Sequence, residues 1–273
     1  DFIGEVNSSL YVADLALIFV EAVSGVEVGT EIVRQAATNR GLPQIILVNK
    51  MDRDTVRVFR VMDSIKKNLT GNFVNLQLPI GEGAGFKGII DLIKMEARIG
   101  DKAQVSAIPD DLLEAAQEAR MALIEAAAEG DDVLMTKFFD EEEFTNEEII
   151  TGLKESMAKG LLTPIIFSAP ESNIAFEPVL ELLDLLAPAP NERTFTAIDP
   201  SGKEVTFDVS DASPLVAFIF KTREDAYGKA SYIRVFGGTL ESDSRYWATT
   251  LNAEVRVGSI QVIRGKETIS VTK

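Results

Sequence analysis

The run Gln44-Ile45-Ile46-Leu47-Val48 carries apolar side chains at consecutive positions. A strand buried on both faces reads this way, so the run predicts an interior strand of a parallel sheet. Residues 13–22 repeat the pattern, and Ser24-Gly25 breaks it. Between the two, residues 30–39 place Ile32, Val33, Ala36 and Ala37 at helical spacing, and Gly41-Leu42-Pro43 ends that helix. Residues 54–69 predict a second helix through Val58, Val61, Met62, Ile65 and Leu69, and residues 73–80 a third strand. This β-α-β-α-β rhythm predicts an α/β fold with a parallel sheet and right-handed crossovers.

Residues 110–160 then turn helical. Leu112, Leu113, Ala116, Ala119, Leu123 and Ala126 form one apolar stripe with acidic residues opposite, and Thr145 with Glu148 makes a capping box. A helical block inside an α/β rhythm reads as an insertion. The sheet resumes at Thr163-Pro164-Ile165-Ile166-Phe167, ends in Ser168-Ala169, and leads to a helix containing residues 179–186. Ala187-Pro188-Ala189-Pro190 reads as a stiff, polyproline-like linker. Beyond it come strands at 205–209, 215–221, 231–236, 245–249 and 255–263, punctuated by Gly228, Gly237-Gly238 and Gly258. Short strands at such spacing predict a β-barrel, with its last strands cut off at Lys273. The expected domains are 1–190, with an inserted subdomain at about 81–160, and 191–273.

Gly83-Ala84-Gly85-Phe86-Lys87-Gly88 matches the G-x-G-x-x-G pattern of dinucleotide sites. Ile89-Ile90-Asp91-Leu92-Ile93 follows, which has no helix cap and reads as a strand. The acidic residue expected about 20 positions on is poorly matched by Asp101. A Walker A ending of Gly-Lys-Ser/Thr is missing too. The stretch reads as a flexible hairpin, and a dinucleotide oxidoreductase is the weaker alternative.

The composition is that of a soluble globular protein, 46% hydrophobic and 26% charged. Its 273 residues exceed one small domain. No apolar run approaches the roughly 18 residues of a membrane span. The chain opens on Asp1-Phe2-Ile3, without Met and without a basic-then-apolar leader. The expectation is a piece of a longer protein with no secretory signal in view. Absence of Cys removes disulfide and thiolate chemistry and fits a cytoplasmic protein. Absence of His removes histidine triads and the commonest metal ligand. The net charge of −16 is concentrated in residues 110–155, with 15 acidic residues against 3 basic; residues 201–273 hold 9 against 10. This balance opposes long-range attraction of nucleic acid. The acidic stretch reads either as a solvated helical surface or as a docking face for a basic protein.

Asn49-Lys50-Met51-Asp52 follows the first strand described. Ligands of open α/β sheets dock beyond the carboxyl ends of the strands. The Asp52 carboxylate can accept from guanine N1–H and the 2-amine, the Asn49 amide can serve the O6/N7 edge, and the Lys50 stem can lie along the ring. Adenine lacks both donors and would leave Asp52 unpaired, at a cost of about 1–3 kcal/mol. Alone, the tetrapeptide serves equally as a capped turn after a strand.

The order of these features decides between the two. The sequence resembles the elongation factor G family of bacterial translational GTPases, from the middle of the G domain into the second domain. The matching stretches are Asp1-Phe2-Ile3-Gly4-Glu5-Val6, Gly25-Val26-Glu27, Arg34-Gln35-Ala36, Asn49-Lys50-Met51-Asp52, Leu78-Pro79-Ile80-Gly81, Gly88-Ile89-Ile90-Asp91 and Arg234-Val235-Phe236-Gly237-Gly238-Thr239-Leu240. The resemblance implies a partial P-loop-NTPase-type parallel sheet with an inserted acidic helical subdomain, then a translation-factor β-barrel. It implies that Asn49 and Asp52 read guanine with Lys50 beside it. Ser168-Ala169 becomes the last guanine element, the Ala169 N–H pointing at O6 and the Ser168 hydroxyl bracing Asp52. The implied nucleotide is GTP or GDP with Mg²⁺. The implied partner is the ribosome, through its basic stalk protein at the acidic insert and through small-subunit rRNA at the barrel. A cytoplasmic monomer without membrane contact is expected.

The family's phosphate-binding loop, first switch and Asp-x-Pro-Gly-His element precede its Asp-Phe, so the resemblance places them, with the Mg²⁺ ligands, upstream of Asp1. No residue here takes a catalytic or metal-ligating role. The parent is expected to be a GTP hydrolase that promotes translocation, and this chain alone to be inactive. Pro170-Glu171 departs from the lysine- and asparagine-rich continuation common after Ser-Ala, which points to a divergent paralogue. The alternatives are a non-hydrolysing ribosome-binding module and a ribosomal-protection or release-type GTPase.

Overall fold

Consecutive apolar residues at 45–48 are all buried, and they alternate between two cores. A computed structural model of the protein describes residues 2–192, 194–199, 201–225 and 228–273. It divides into two units, Asp1–Pro188 and Ala189–Lys273.

The first unit begins with α1 (Ile3–Leu10), β1 (Ala16–Glu21), α2 (Val28–Thr38), β2 (Gln44–Asn49) and α3 (Val58–Asn68). After β3 (Phe73–Asn75) and β4 (Gln77–Ile80) come β5 (Gly88–Asp91), β6 (Glu96–Ile99) and β7 (Gln104–Ser106). Helices α4 (Asp110–Ala128), α5 (Asp132–Phe139) and α6 (Asn146–Ala158) precede β8 (Thr163–Phe167) and α7 (Phe176–Leu186). A parallel sheet of order β1-β2-β8-β3 forms the centre. Ile46, Val48, Ile165 and Phe167 join the core containing Val61 and Ile65 of α3. Ile45, Leu47 and Ile166 join the core built with Leu123, Leu153 and Leu182. Each such side chain withdrawn from water contributes about 1.5–3 kcal/mol before chain entropy is counted.

Residues 73–80, expected as one strand, are two. β3 pairs in parallel with β8, whereas β4 pairs antiparallel with β5 in a second sheet of order β4-β5-β6-β7. The switch falls at Leu76, which is fully buried and donates its N–H to the Ile165 carbonyl at 3.0 Å. The β3 half answers to β8, about 90 positions on, while the β4 half turns back onto β5, the next strand, so the apolar run alone does not mark where one gives way to the other.

The helices of the acidic block touch through small residues. Ala116, Ala126, Ala127, Gly152 and Ser156 are buried, and the Ser156 hydroxyl donates to the Ala126 carbonyl at 3.0 Å. Leu113 of the expected stripe is exposed. The Thr145–Glu148 capping box closes the start of α6 in both directions. No helix among the described residues is long and apolar enough to cross a membrane.

Among the described residues every strand of the second unit is paired antiparallel. Its strands are β9 (Phe195–Ile198), β10 (Glu204–Phe207), β11 (Val216–Asp225), β12 (Gly228–Gly237), β13 (Arg245–Ala248), β14 (Ala253–Arg256), β15 (Ile260–Arg264) and β16 (Glu267–Val271). Among the described residues they pair as hairpins, each strand with its neighbour in sequence. Residues 255–263, expected as one strand, split between β14 and β15 at Val257-Gly258. Pro190 of the expected linker opens a short 3-10 turn, Pro190–Glu192. The Phe195 ring lies 4.7 Å from that of Phe236 and joins the first two hairpins.

Candidate guanine-nucleotide site

β2 and β8 are parallel neighbours, so Asn49 and Ser168 leave the sheet side by side at its carboxyl edge. Two backbone bonds continue the pairing past the strands. Ser168 N–H donates to the Val48 carbonyl at 3.0 Å, and Met51 N–H to the Ser168 carbonyl at 3.2 Å. Met51 is fully buried, and this apolar anchor leaves Lys50 exposed and Asp52 half-buried on either side of it. Lys50 adopts φ +60°, the left-handed turn that lets the chain reverse direction after the strand.

The Gly83–Gly88 motif supports this loop from behind. Gly83 N–H donates to the Met51 carbonyl at 3.1 Å. Gly83 has φ +60°, and a Cβ there would lie 3.1 Å from the Asp54 carbonyl oxygen, so glycine suits the spot. A 3-10 turn and then β5 follow it, and the helix required by a dinucleotide site is not there.

Of the five sequence-predicted residues Asn49 ends β2, and Lys50, Asp52, Ser168 and Ala169 fall in the two adjoining loops. Asn49 Oδ1 accepts from the Lys50 N–H at 2.8 Å and lies 3.4 Å from the Ser168 hydroxyl. With its oxygen engaged, the amide keeps its Nδ2 donors for an acceptor edge such as O6/N7. Lys50 Nζ forms an ion pair with Glu21 Oε1 at 2.8 Å. That hydrogen bond, followed by one from Ser24, holds the Glu21 carboxyl below the usual carboxylate range.

Two expected roles are corrected. The hydroxyl that reaches Asp52 belongs to Ser172, at 2.9 Å from Oδ2, while the buried Ser168 serves Asn49. Ala169 N–H donates to the Ile174 carbonyl at 3.0 Å, so it is not a free donor for O6. The cause is a tight return of the chain: Ala169 and Ile174 bond each other in both directions around Pro170-Glu171-Ser172-Asn173. Glu171 ion-pairs with Arg53 at 2.8 Å and ties the two loops together from outside.

Sequence reading missed Ser172 and Glu21. Glu21 could have been found by aligning the two first strands, because it is the register partner of Asn49. Ser172 had no signal, since its place depends on the turn that follows Pro170. Among the described residues no three Asp or Glu side chains converge to hold a cation.

The family described as Elongation factor Tu GTP binding domain matches residues 1–189. A Thermus thermophilus protein of known crystal structure superposes with a TM-score of 0.82 at 29% sequence identity. The match covers 99% of this chain and 38% of that protein. A parallel sheet flanked by helices, followed by an antiparallel β unit, is the P-loop GTPase domain and the barrel-class domain of a translation factor. The chain belongs to the elongation factor Tu GTP-binding-domain family, the translational GTPases.

Proposed function

We propose that this chain is the base-reading and ribosome-docking portion of a ribosome-dependent GTPase of the elongation factor G kind. The whole protein binds GTP or GDP with Mg²⁺ in the cytoplasm and couples hydrolysis to movement of the ribosome. The observation that carries the reading is the joining of Asn49 and Asp52 to the 168–172 loop at the carboxyl ends of adjacent strands. In this arrangement Asp52 accepts from guanine N1–H and the 2-amine, Asn49 Nδ2 donates to the O6/N7 edge, and the Lys50 stem covers the ring. Phosphates and Mg²⁺ are held by segments other than these. The acidic face of the α4–α6 block docks a basic stalk protein, and the near-neutral second unit meets small-subunit rRNA. Glu171, paired with Arg53 where the main translocase has a lysine-rich continuation, supports a divergent paralogue.

The test is a fluorescent-GDP titration of the intact protein with ADP as competitor and Asp52→Ala as control. Guanine-selective binding that Asp52→Ala weakens about 10- to 100-fold is expected, the loss of charged hydrogen bonds. Absence of binding by the intact protein would leave a docking module without GTPase activity.

A further inference from the structure

We infer that Ser172 is the positioning residue for the base-reading carboxylate of Asp52, and that it sets how strongly the site weighs the guanine 2-amine. The inference rests on the guanine reading above.

The Ser172 hydroxyl lies 2.9 Å from Asp52 Oδ2 and 3.1 Å from the Ala169 carbonyl oxygen. It has one proton for two acceptors, and the charged carboxylate is the stronger. The direction of that hydroxyl is fixed by its loop. Ala169 and Ile174 close the loop at its base, and the Asn173 N–H donates to the Pro170 carbonyl at 3.2 Å. Asn173 takes φ +57° and its side-chain amide donates to the Asp101 carbonyl at 2.9 Å. Arg53 holds Glu171 on the other side. Ser172 thus sits between two tethered neighbours. The other loop serine, Ser168, is committed to Asn49, so each base-reading side chain has its own hydroxyl.

Lone-pair counting allows this use. A carboxylate offers about four acceptor positions. Ser172 takes one, and guanine N1–H and the 2-amine require two of the rest. An anchored carboxylate meets both donors together. A carboxylate free to rotate keeps the N1–H bond and loses part of the second, because it must then be ordered on binding. Inosine nucleotides lack the 2-amine and therefore isolate the effect.

The experiment measures GDP and IDP affinity of the intact protein, its Ser172→Ala and Ser172→Thr variants, Asp52→Ala, and the double variant. Ser172→Ala is expected to weaken GDP about five-fold and IDP less, lowering the GDP/IDP preference. Ser172→Thr keeps the hydroxyl and the preference. In the Asp52→Ala background, Ser172→Ala adds nothing. Equal weakening of GDP and IDP, or the same loss with and without Asp52, would overturn the proposal by assigning Ser172 to the loop fold alone. So would unchanged affinities in Ser172→Ala. If Asp52→Ala itself leaves GDP binding intact, the guanine reading fails, a result distinct from failure of Ser172 alone.

Discussion

The Lys50 ammonium sits 2.8 Å from the Glu21 carboxylate, so the side chain after β2 reaches across to the end of β1. Its four-carbon stem thereby spans the two strand ends, and in the proposed site an aromatic base rests on it. Both side chains are substantially exposed, 46% and 37%, so the pair contributes modestly and is screened by salt. Glu21→Gln is expected to weaken GDP binding by no more than about five-fold at low ionic strength. The difference shrinks at high salt. A titration series in salt checks both statements.

Arg98 and Glu181 make the tighter anchor. Their two bonds, 2.7 and 3.1 Å, join β6 to α7, and Arg98 is buried with its Nε donating to the Ala103 carbonyl at 2.9 Å. Glu181→Gln is expected to destabilise the first unit by about 1–2 kcal/mol, at the lower end because Glu181 is about a third exposed and water screens the pair. The Arg98 guanidinium, ahead of other causes, lowers the Glu181 pKa. The contribution is therefore complete above the unfolded value of about 4.3 and is lost as pH falls through the lowered folded value. Urea unfolding at neutral and acidic pH should show the gap between wild type and Glu181→Gln closing on acidification.

Gly152 sets the approach of α6 to α4. A Cβ there would lie 2.5 Å from the Ala127 carbonyl oxygen and 2.9 Å from Leu134 Cδ1. Gly152→Ala is expected to cost about 1–3 kcal/mol through overpacking, outweighing the better helix propensity of alanine. Gly4, in α1, has nothing within 4 Å of a Cβ. Gly4→Ala should be neutral or stabilising by up to about 1 kcal/mol. Thermal unfolding of the pair separates close approach from propensity.

The acidic face of the α4–α6 block is expected to bind a basic ribosomal protein in a salt-dependent way. Replacing Glu141, Glu142 and Glu143 by Lys should slow association several-fold and flatten its salt dependence, as read by stopped-flow with the ribosomal stalk. Unaltered rates would remove this face from the interface.

The sheet was legible because its signals are local. Ile45 to Val48 are buried on alternating sides, and an uninterrupted apolar run requires that in a parallel sheet. The Thr145–Glu148 box was legible for the same reason, since both partners lie within one helical turn. The break at Leu76 was not, because the first half of the run is claimed by the distant β8 and only the second half by its neighbour β5. In the proposed site, Asn49 and Asp52 were singled out from the chemistry a guanine base demands, and they lie at and just beyond the carboxyl end of β2. Their braces were misassigned: Ser168 was given to Asp52, although a turn closed by Ala169 and Ile174 delivers Ser172 instead. Side chains that hold other side chains are fixed by loop geometry, and sequence spacing does not encode it. Gly83-Ala84-Gly85 shows the converse. A pattern resembling a nucleotide loop serves here as a backbone support under Met51.

The most direct measurement is the nucleotide preference of Asp52→Asn in the intact protein, with GDP and XDP competed side by side. The amide accepts from N1–H and donates to the 2-carbonyl of xanthine, so the account predicts inversion of the wild-type preference, with GDP weakened and XDP strengthened. A GDP-to-XDP ratio unchanged from wild type would contradict the placement of Asp52 at the base.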